Sequence, residues 1–547
     1  MATIPGPTLI TTGTDHDAPD VGAAKALVRF WHVPSASAIA WISMIALAAV
    51  RAGTTEERDP YWQARAGIEN LHGLPLARPD TWSWDGVGGD WYQNSPAWND
   101  VLGLSWLVGG FWGMYVVGFG TILTLFGLSY VIARRLGAHP LGALAAVVLS
   151  FIGALPMVSA RATMAVQVLL LIGVCIPPWW RPRVLRHSPI VNALVLAALG
   201  TVLAAVGNWV HLSFLVLGPA LAGSWGVYWL FSDWPGDLRS RLRDARRWAL
   251  VVGGTVGVGL GTLAGPYGIA TVIERSRATS ATCASEVLEW ASPFSSMVLT
   301  HMPTVIQWPT AAACAILTCV LFVRWWTRRV RSGRIDETFA RASAIATLAL
   351  PLTIAGMFML RFLGASFLTF APVVGLGITA AAWRLKAWAS RLADDAPYRE
   401  TALRWTQSRS WRIVLTLVWV LLAPWTLLLG PGQHAVPPEL AAIKALPEGC
   451  SLFTNAGISG PAVLVRRDVK VWLDGRADYY GNQRLIDDGI YYKGLGSTTT
   501  PAGATCVIIP ASDMSDISYP ETQRLAADPS WTLIGTYEHL GVWVRSS

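Results

Sequence analysis

The chain has 547 residues, of which 53% are hydrophobic and 14% charged, with 29 tryptophans and a formal net charge of +8. A soluble chain averages about 25% charged residues, so the composition excludes a soluble enzyme, a disordered protein and a collagen-like chain, and points to a multi-span membrane protein. In a soluble domain the basic excess would suggest nucleic acid; in a polytopic chain it belongs to cytoplasmic loops, and no nucleic-acid partner is expected.

Residues 1–31 are polar and rich in Gly, Pro and Thr, with Asp15, Asp17 and Asp20 where a signal peptide needs an apolar core. A disordered cytoplasmic tail without a cleavable signal is expected there. Apolar stretches of about 17 to 25 residues then predict eleven spans, near residues 32–50, 112–133, 141–158, 162–178, 190–207, 212–231, 248–264, 309–325, 342–360, 362–382 and 412–430. The apolar piece from Val101 to Gly110 is too short to cross and is placed in the interface or as a re-entrant segment. Arginines and lysines alternate between loops as these spans require. Arg134 and Arg135, Arg181 to Arg186, Arg239 to Arg247, Arg324 to Arg341 and Arg384 to Arg412 fall on the same side as Lys25 and Arg29. The expected topology is a multi-pass plasma (inner) membrane protein with its N-terminus inside and C-terminus outside. Its transmembrane domain covers 32–430, with outer loops at 51–99 and 265–308.

Residues 431–547 predict a small extracytoplasmic α/β domain. Pro437 to Leu446 and Gln523 to Ala527 read as helices, and Ser451 to Thr454, Val469 to Leu473, Cys506 to Ile509, Thr532 to Tyr537 and Gly541 to Val544 as strands. The chain has six cysteines and no CxxC, so neither a zinc site nor a thiol redox motif is supported. Cys450 and Cys506 each open a strand-like run on the side where a disulfide survives, and spacing alone leaves their pairing open.

Several polar residues stand out against this apolar background. In the first outer loop, Asp59, Tyr61, Trp62 and Arg65 follow the first span, and Asp80, Trp82, Trp91, Trp98, Asn99 and Asp100 come after them. A partly desolvated carboxylate suits the removal of a proton from a sugar hydroxyl, and carboxylates mixed with indoles suit carbohydrate; an interfacial aromatic belt has the same composition. Arg161, Asn208, His211 and Arg361 sit in short outer turns between long apolar runs. Ionisable groups at such depth are functional candidates, the two arginines for a phosphate or diphosphate, although an arginine at a span end also snorkels and caps carbonyls. Glu286 and Glu289 would share a helix face beside Trp290, either binding a divalent cation (Mg or Mn) or an acceptor, or as a solvated face. Tyr267 lies in a turn after the seventh span, and Asp474, Arg476 and Asp478 alternate after a Val-rich strand, as an ion-paired turn or a ligand-facing one.

These residues form a pattern. Asp59-Pro60 with Trp62, Arg65-Ala66-Gly67, Leu71-His72-Gly73, Asp80-Thr81-Trp82-Ser83 and Trp98 resemble the first outer loop of bacterial polytopic proteins of the C-type (GT-C) glycosyltransferase superfamily. Arg161, Asn208 with His211, Pro266-Tyr267-Gly268, Glu289-Trp290-Ala291-Ser292-Pro293, Arg361-Phe362 and Asp474-Gly475-Arg476-Ala477-Asp478-Tyr479-Tyr480-Gly481 extend the resemblance, which runs from about Asp59 to Gly481. It implies an enzyme that takes a sugar from a polyprenyl-phosphate donor and transfers it, on the outer face, to a glycan, lipid or protein. Asp59 matches the position of the superfamily's catalytic base. Gln63 stands where the commoner pattern has His, and Ala162-Thr163 where it has Pro-Gln, so of those two motifs only Asp59 and Arg161 carry over.

The reading is an inverting transferase in which Asp59 deprotonates the acceptor, Arg161, Arg361, His211 and Asn208 hold the donor phosphate, and Tyr61, Trp62, Arg65, Asp80, Trp98, Asn99, Tyr267, Glu289, Trp290, Asp474, Arg476 and Asp478 contact sugars. Two other readings stay open: a transporter or flippase of a lipid-linked saccharide, which would favour internal repeats, and a non-catalytic cell-envelope assembly protein.

Overall fold

The computed structural model describes residues 36–53, 58–232, 238–274, 287–299, 304–392, 435–481, 483–487, 500–511 and 520–546. The protein is a multi-pass α-helical membrane protein with a small C-terminal α/β domain. Among the described residues seven helices are long and apolar enough to cross a membrane. Every predicted span up to 362–382 falls on a helix; the last, 412–430, lies outside the described residues.

Three of those helices miss the length or apolarity of a crossing segment. Helix α1 (Ala36–Arg51) has 16 residues and α4 (Pro140–Gly153) has 14, about 21 Å of rise for the latter against a hydrocarbon core of about 30 Å. The stretch expected to run on to residue 158 is cut by Leu155-Pro156-Met157, which form a 3₁₀ turn. Helix α8 (Ala245–Leu263) opens with Arg246 and Arg247 and is rich in glycine.

Helix α2 (Asp59–Leu71) and α3 (Pro96–Arg135) follow α1. Helix α3 is broken at Gly110, whose φ of 56° and ψ of −138° are open to glycine and strained for other residues. The residues before the break form the short apolar piece seen in the sequence. They pack on α2 at a crossing so close that a Cβ at Gly103 would lie 2.6 Å from the backbone of Gly67. Helices α5 (Ala162–Val184), α6 (Pro189–Val210) and α7 (Phe214–Phe231) come before α8. Gly253, Gly257 and Gly261 recur every four residues along α8, where added Cβ atoms would meet the Ala193, Ala197 and Thr201 carbonyls of α6 at 2.1 to 2.4 Å. This is the small-residue packing that lets membrane helices approach without a hydrophobic drive. Helices α9 (Thr304–Arg331), α10 (Glu337–Gly356) and α11 (Leu360–Leu392) complete the bundle.

Strands β1 (Ala77–Pro79) and β2 (Asp90–Tyr92) form an antiparallel hairpin in the loop between α2 and α3, the first of the two loops that the sequence expects outside. The C-terminal domain has strands β3 (Ser451–Phe453), β4 (Lys470–Val471), β5 (Cys506–Pro510), β6 (Trp531–Tyr537) and β7 (Leu540–Arg545) in the order β4-β3-β5-β7-β6. The pairs β4-β3 and β3-β5 are parallel, and the rest antiparallel. Each strand lies where the sequence places one, and Cys450 pairs with Cys506 in a disulfide beside β3 and β5. Helix α12 (Leu440–Lys444) precedes β3, α13 (Ala456–Val465) crosses from β3 to β4, α14 (Ala477–Tyr480) follows β4 and α15 (Pro520–Ala527) precedes β6. Helix α13 is unexpected because Gly457, Gly460 and Pro461 read as breakers; Asn455 caps its start through Ile458 N–H at 3.0 Å.

The domain is anchored to the first outer loop. Trp82 and Trp84 bond the free edge of β4 through Val471, extending the sheet. Arg476 lies beneath this seam, 1% exposed. Its guanidinium donates to both oxygens of Asp474 at 2.7 to 3.0 Å and to Asp80 at 2.9 Å, and stacks 4.3 Å over Trp82. Tyr480 completes the network with hydrogen bonds to Asp474, Arg476 and Ser83. Replacing Arg476 with Met leaves Asp474 and Asp80 buried without their cation, a loss of roughly 3–5 kcal/mol. The expected result is a large drop in the thermal midpoint of the full-length protein in detergent; an unchanged midpoint would show that this network does not hold the domain in place.

Candidate active site

A cavity of about 530 Å³ lies where the first outer loop, the bundle and the C-terminal domain meet. Its bundle wall is mostly apolar, with Met157, Val166, Leu215, Val216, Phe362 and Ala365. Tyr92 and Asp90 of the hairpin, Tyr267 of the second outer loop, and Asp478 and Tyr479 of the C-terminal domain supply an aromatic and acidic wall. Arg161, His211, Glu289 and Arg361 supply the charged and titratable groups contributed from the bundle and the second loop.

Arg161 is set by the chain break before α5. Its backbone is extended, at φ −100° and ψ 152°, as the residue just before the helix. The guanidinium reaches Glu289 at 2.6 Å and Asp59 at 2.8 Å. Asp59 stands in the first turn of α2 ahead of Pro60, where a carboxylate faces the positive end of the helix and proline's missing N–H is harmless. One turn on, Trp62 donates its indole N–H to the other oxygen of Asp59 at 3.0 Å. The backbone of Gly475 closes on this pair, and a Cβ there would sit 2.6 Å from the Trp62 indole nitrogen and 2.7 Å from Asp59 Oδ1.

His211 ends α6 in an extended conformation, and the adjacent Leu212 N–H donates to Asn94 of the first loop at 2.9 Å. Its Nδ1 accepts the Ser213 N–H at 2.9 Å, which puts the proton of the neutral ring on Nε2. Burial, reinforced by the Arg361 and Arg161 charges, pushes its pKa down to about 3, so the ring is neutral at physiological pH.

Arg361 stands in the first turn of α11. The turn containing Glu289 and Trp290 is pinned there by Leu360 N–H to Ala291 O at 2.9 Å and by Ser292 Oγ to Met357 O at 2.8 Å. This brings the Trp290 ring to 4.7 Å from the Arg361 guanidinium. Among the described residues Arg361 forms neither an ion pair nor a side-chain hydrogen bond. Burial would raise the Glu289 carboxyl, but the Arg161 and Arg361 charges outweigh it and hold it down to about 2.

Of the residues singled out in the sequence, Trp91, Arg161, His211, Arg361, Tyr267, Glu289, Trp290 and Asp478 line this one cavity. Asp59 and Trp62 stand behind it, joined through Arg161. The others have structural partners. Asn208 donates to Thr262 O at 2.9 Å and ties α6 to α8; Tyr61 and Trp98 are buried in an apolar cluster. Arg65 pairs with Glu69 at 2.7 Å, and Asn99 donates to Gln93 at 2.8 Å. Asp80, Asp474 and Arg476 belong to the buried network beneath the seam. Glu286, expected to pair with Glu289, lies outside the described residues. Tyr92 lines the cavity without having been singled out, because its loop carries many aromatics of equal standing; Tyr479, named only within the 474–481 string, lines it too. The role of Gly475 had no signal in the sequence, since close approach is a tertiary property. Among the described residues no three His, Cys, Asp or Glu side chains converge as a metal site.

No protein-family model matches the sequence, and no curated protein does. Among solved structures the chain is similar to the oligosaccharyltransferase of Archaeoglobus fulgidus tethered with an acceptor peptide containing the NVT sequon. That match has 10% identity over 86% of this chain and 68% of the other, with a TM-score of 0.46. It is similar to ArnT from Cupriavidus metallidurans bound to undecaprenyl phosphate, with 12% identity over 96% and 99% and a TM-score of 0.45. The apo form of the same oligosaccharyltransferase matches at 10% identity over 88% and 70%, with a TM-score of 0.44. These overlaps are broad along the chain and loose in superposition, and the functional reading rests on the cavity.

Two outcomes follow from this geometry. Gly475→Ala forces Asp59 and Trp62 aside and is expected to destabilise the protein by about 1–3 kcal/mol, read as a lower thermal midpoint; an unshifted midpoint would mean that the contact yields freely. A carboxyl held below its ordinary value stabilises the fold above that value, and the contribution is lost as pH falls through the folded pKa. For Glu289 the loss runs downward from about pH 4.5 towards about 2, so acid melts of Glu289→Gln should show a shallower decline than the parent. Parallel declines would remove Glu289 as a source.

Proposed function

We propose that this protein is a membrane glycosyltransferase of the C-type superfamily, transferring a sugar from a polyprenyl-phosphate donor to a cell-envelope glycan, lipid or protein. The reaction belongs to the outer face of the plasma membrane, because every segment lining the cavity outside the bundle is one that the distribution of Arg and Lys assigns outside. The observation that carries the reading is Arg361. Among the described residues its guanidinium makes no ion pair and no side-chain hydrogen bond and lies against the Trp290 indole, in a cavity whose bundle wall is mostly apolar; its planar set of N–H donors suits an anionic headgroup on a lipid chain. Val216, on that wall, is 65% exposed, an apolar surface suited to a lipid tail.

Arg161 adds a second guanidinium, already oriented by Asp59 and Glu289. Neutral His211 adds an Nε2–H that donates to a phosphate oxygen without adding charge. Departure of a polyprenyl phosphate needs charge compensation more than protonation, because the phosphate is a good anion in its own right; donors fixed in advance in a water-poor site provide that compensation with little reorganisation. The aromatic and acidic wall suits the acceptor, whose hydroxyls bind carboxylates and whose C–H faces stack on rings. Glu289 is held too far down by the two arginines to serve as base, which leaves Asp59 and Asp478 as the carboxylates considered for that role.

Undecaprenyl phosphate serves as the binding probe. Replacing Arg361 with Leu removes charge-assisted hydrogen bonds worth about 1.5–3 kcal/mol, so affinity of the purified protein for the lipid phosphate should fall about 10- to 150-fold. Equal affinity in the variant, or absence of binding by the parent protein, would overturn the assignment.

A further inference from the structure

Asp59 and Asp478 occupy different environments, while Glu289 is paired with Arg161. Asp59 is enclosed: Oδ2 accepts from Arg161, Oδ1 accepts from Trp62, and the backbone of Gly475 presses against Oδ1. It is absent from the cavity wall. Asp478 is on that wall, in α14, beside Tyr479 and across from Tyr267. No other residue's side chain among the described residues hydrogen-bonds its carboxyl, which contacts its own backbone N–H. The buried network of Asp474, Arg476 and Tyr480 brackets Asp478 on both sides in sequence and holds the turn that presents it.

We infer that Asp478, contributed by the C-terminal domain, is the base that takes the proton from the acceptor hydroxyl, and that Asp59 is a positioning residue that orients Arg161. This rests on the transferase reading above and changes which residue does the chemistry. The acceptor O–H bond breaks as its proton passes to the Asp478 carboxylate. The freed oxygen forms a bond to the anomeric carbon from the face opposite the phosphate, and the C–O bond to phosphate breaks with its electron pair leaving on the polyprenyl phosphate. A base works best when its pKa lies near the operating pH. Burial pushes Asp478 up to about 6, with Asp59 and Asp474 acting in the same direction and Arg476 opposing; Tyr267 is the other titratable group interacting with it. Asp478 is therefore mostly ionised at pH 7 and loses its basic form as pH falls below about 6. The active site is then composite, and the bundle without its outer domain has phosphate-binding groups but no base.

The test uses the full-length protein in detergent. The first arm treats it with a water-soluble carbodiimide and an amine near pH 6, with mass-spectrometric mapping of the products. Asp478 should be labelled and Asp59 spared, and saturating undecaprenyl phosphate should protect Asp478; labelling of Asp59 with Asp478 spared would overturn the assignment. In the second arm, undecaprenyl phosphates carrying glucose, galactose, mannose or arabinose are scored for transfer and for hydrolysis to water. Asp478→Asn should lower turnover about 10²- to 10⁴-fold while binding undecaprenyl phosphate as the parent does, and Asp478→Glu should restore part of the rate. Asp59→Asn should weaken lipid-phosphate binding and keep the acid limb of the pH profile near 6. Parent-like turnover in Asp478→Asn, with that acid limb intact, overturns the inference and leaves the transferase reading standing. Failure of the parent protein both to bind the lipid phosphate and to turn over any of these donors overturns both.

Discussion

The Arg161 guanidinium joins three stretches of chain that are far apart in sequence. It bonds Asp59 at the start of α2 and Glu289 in the second outer loop, 102 and 128 residues away, while its own backbone marks the start of α5. The one guanidinium gives each of the two carboxylates a paired hydrogen-bond donor, in a site where leaving a carboxylate without a partner would cost several kcal/mol. The arrangement also sets the electrostatics of the cavity. Glu289 offsets part of the positive charge of Arg161 and Arg361, and His211, facing the two cations, stays neutral.

A second arginine performs the equivalent task for the outer domain. Arg476 is buried between Asp474 and Asp80, so the same residue pair that shapes the turn after β4 also clamps the first loop. Gly475, between them in sequence, lets this turn approach Asp59 and Trp62. The three residues act as a unit in which the ion pairs supply the hold and the missing Cβ supplies the approach. The outer domain is consequently part of the cavity wall, with Asp478 only two residues past Arg476. Its sheet is extended by the first loop at the β4 edge, which covers backbone groups that would otherwise be open to pairing with another chain.

Much of this was legible before any coordinates. Spans, the broken piece before Gly110, the strands of the outer domain and the cavity residues Arg161, His211, Arg361, Glu289 and Asp478 could be picked out, because long apolar runs and ionisable groups stranded among them are local signals. The shortness of α4 was less legible, since the Leu155-Pro156-Met157 turn is itself apolar and blends into the run. Helix α13 was hidden by its glycines and proline, which serve packing: Gly460 sits against Arg58 and Tyr61 of α2. Asn208 looked like a ligand-binding residue for the same reason as His211, and the structure gives its amide to the Thr262 carbonyl.

By itself, the sequence determined a basic, tryptophan-rich membrane chain with a C-terminal α/β domain and a set of polar residues at the ends of its spans. Those properties depend on composition and on periodicity over tens of residues. Which of the polar residues share a cavity was decided only by the tertiary structure. Asp474 and Asp478 are the same residue type, each two positions from Arg476, yet the first is sealed in a network with it and the second faces the cavity. The physical reason is that burial and pairing depend on neighbours hundreds of residues away, such as Asp80 and Trp82 across from Arg476, and no local pattern records which of several similar charges will meet its partner.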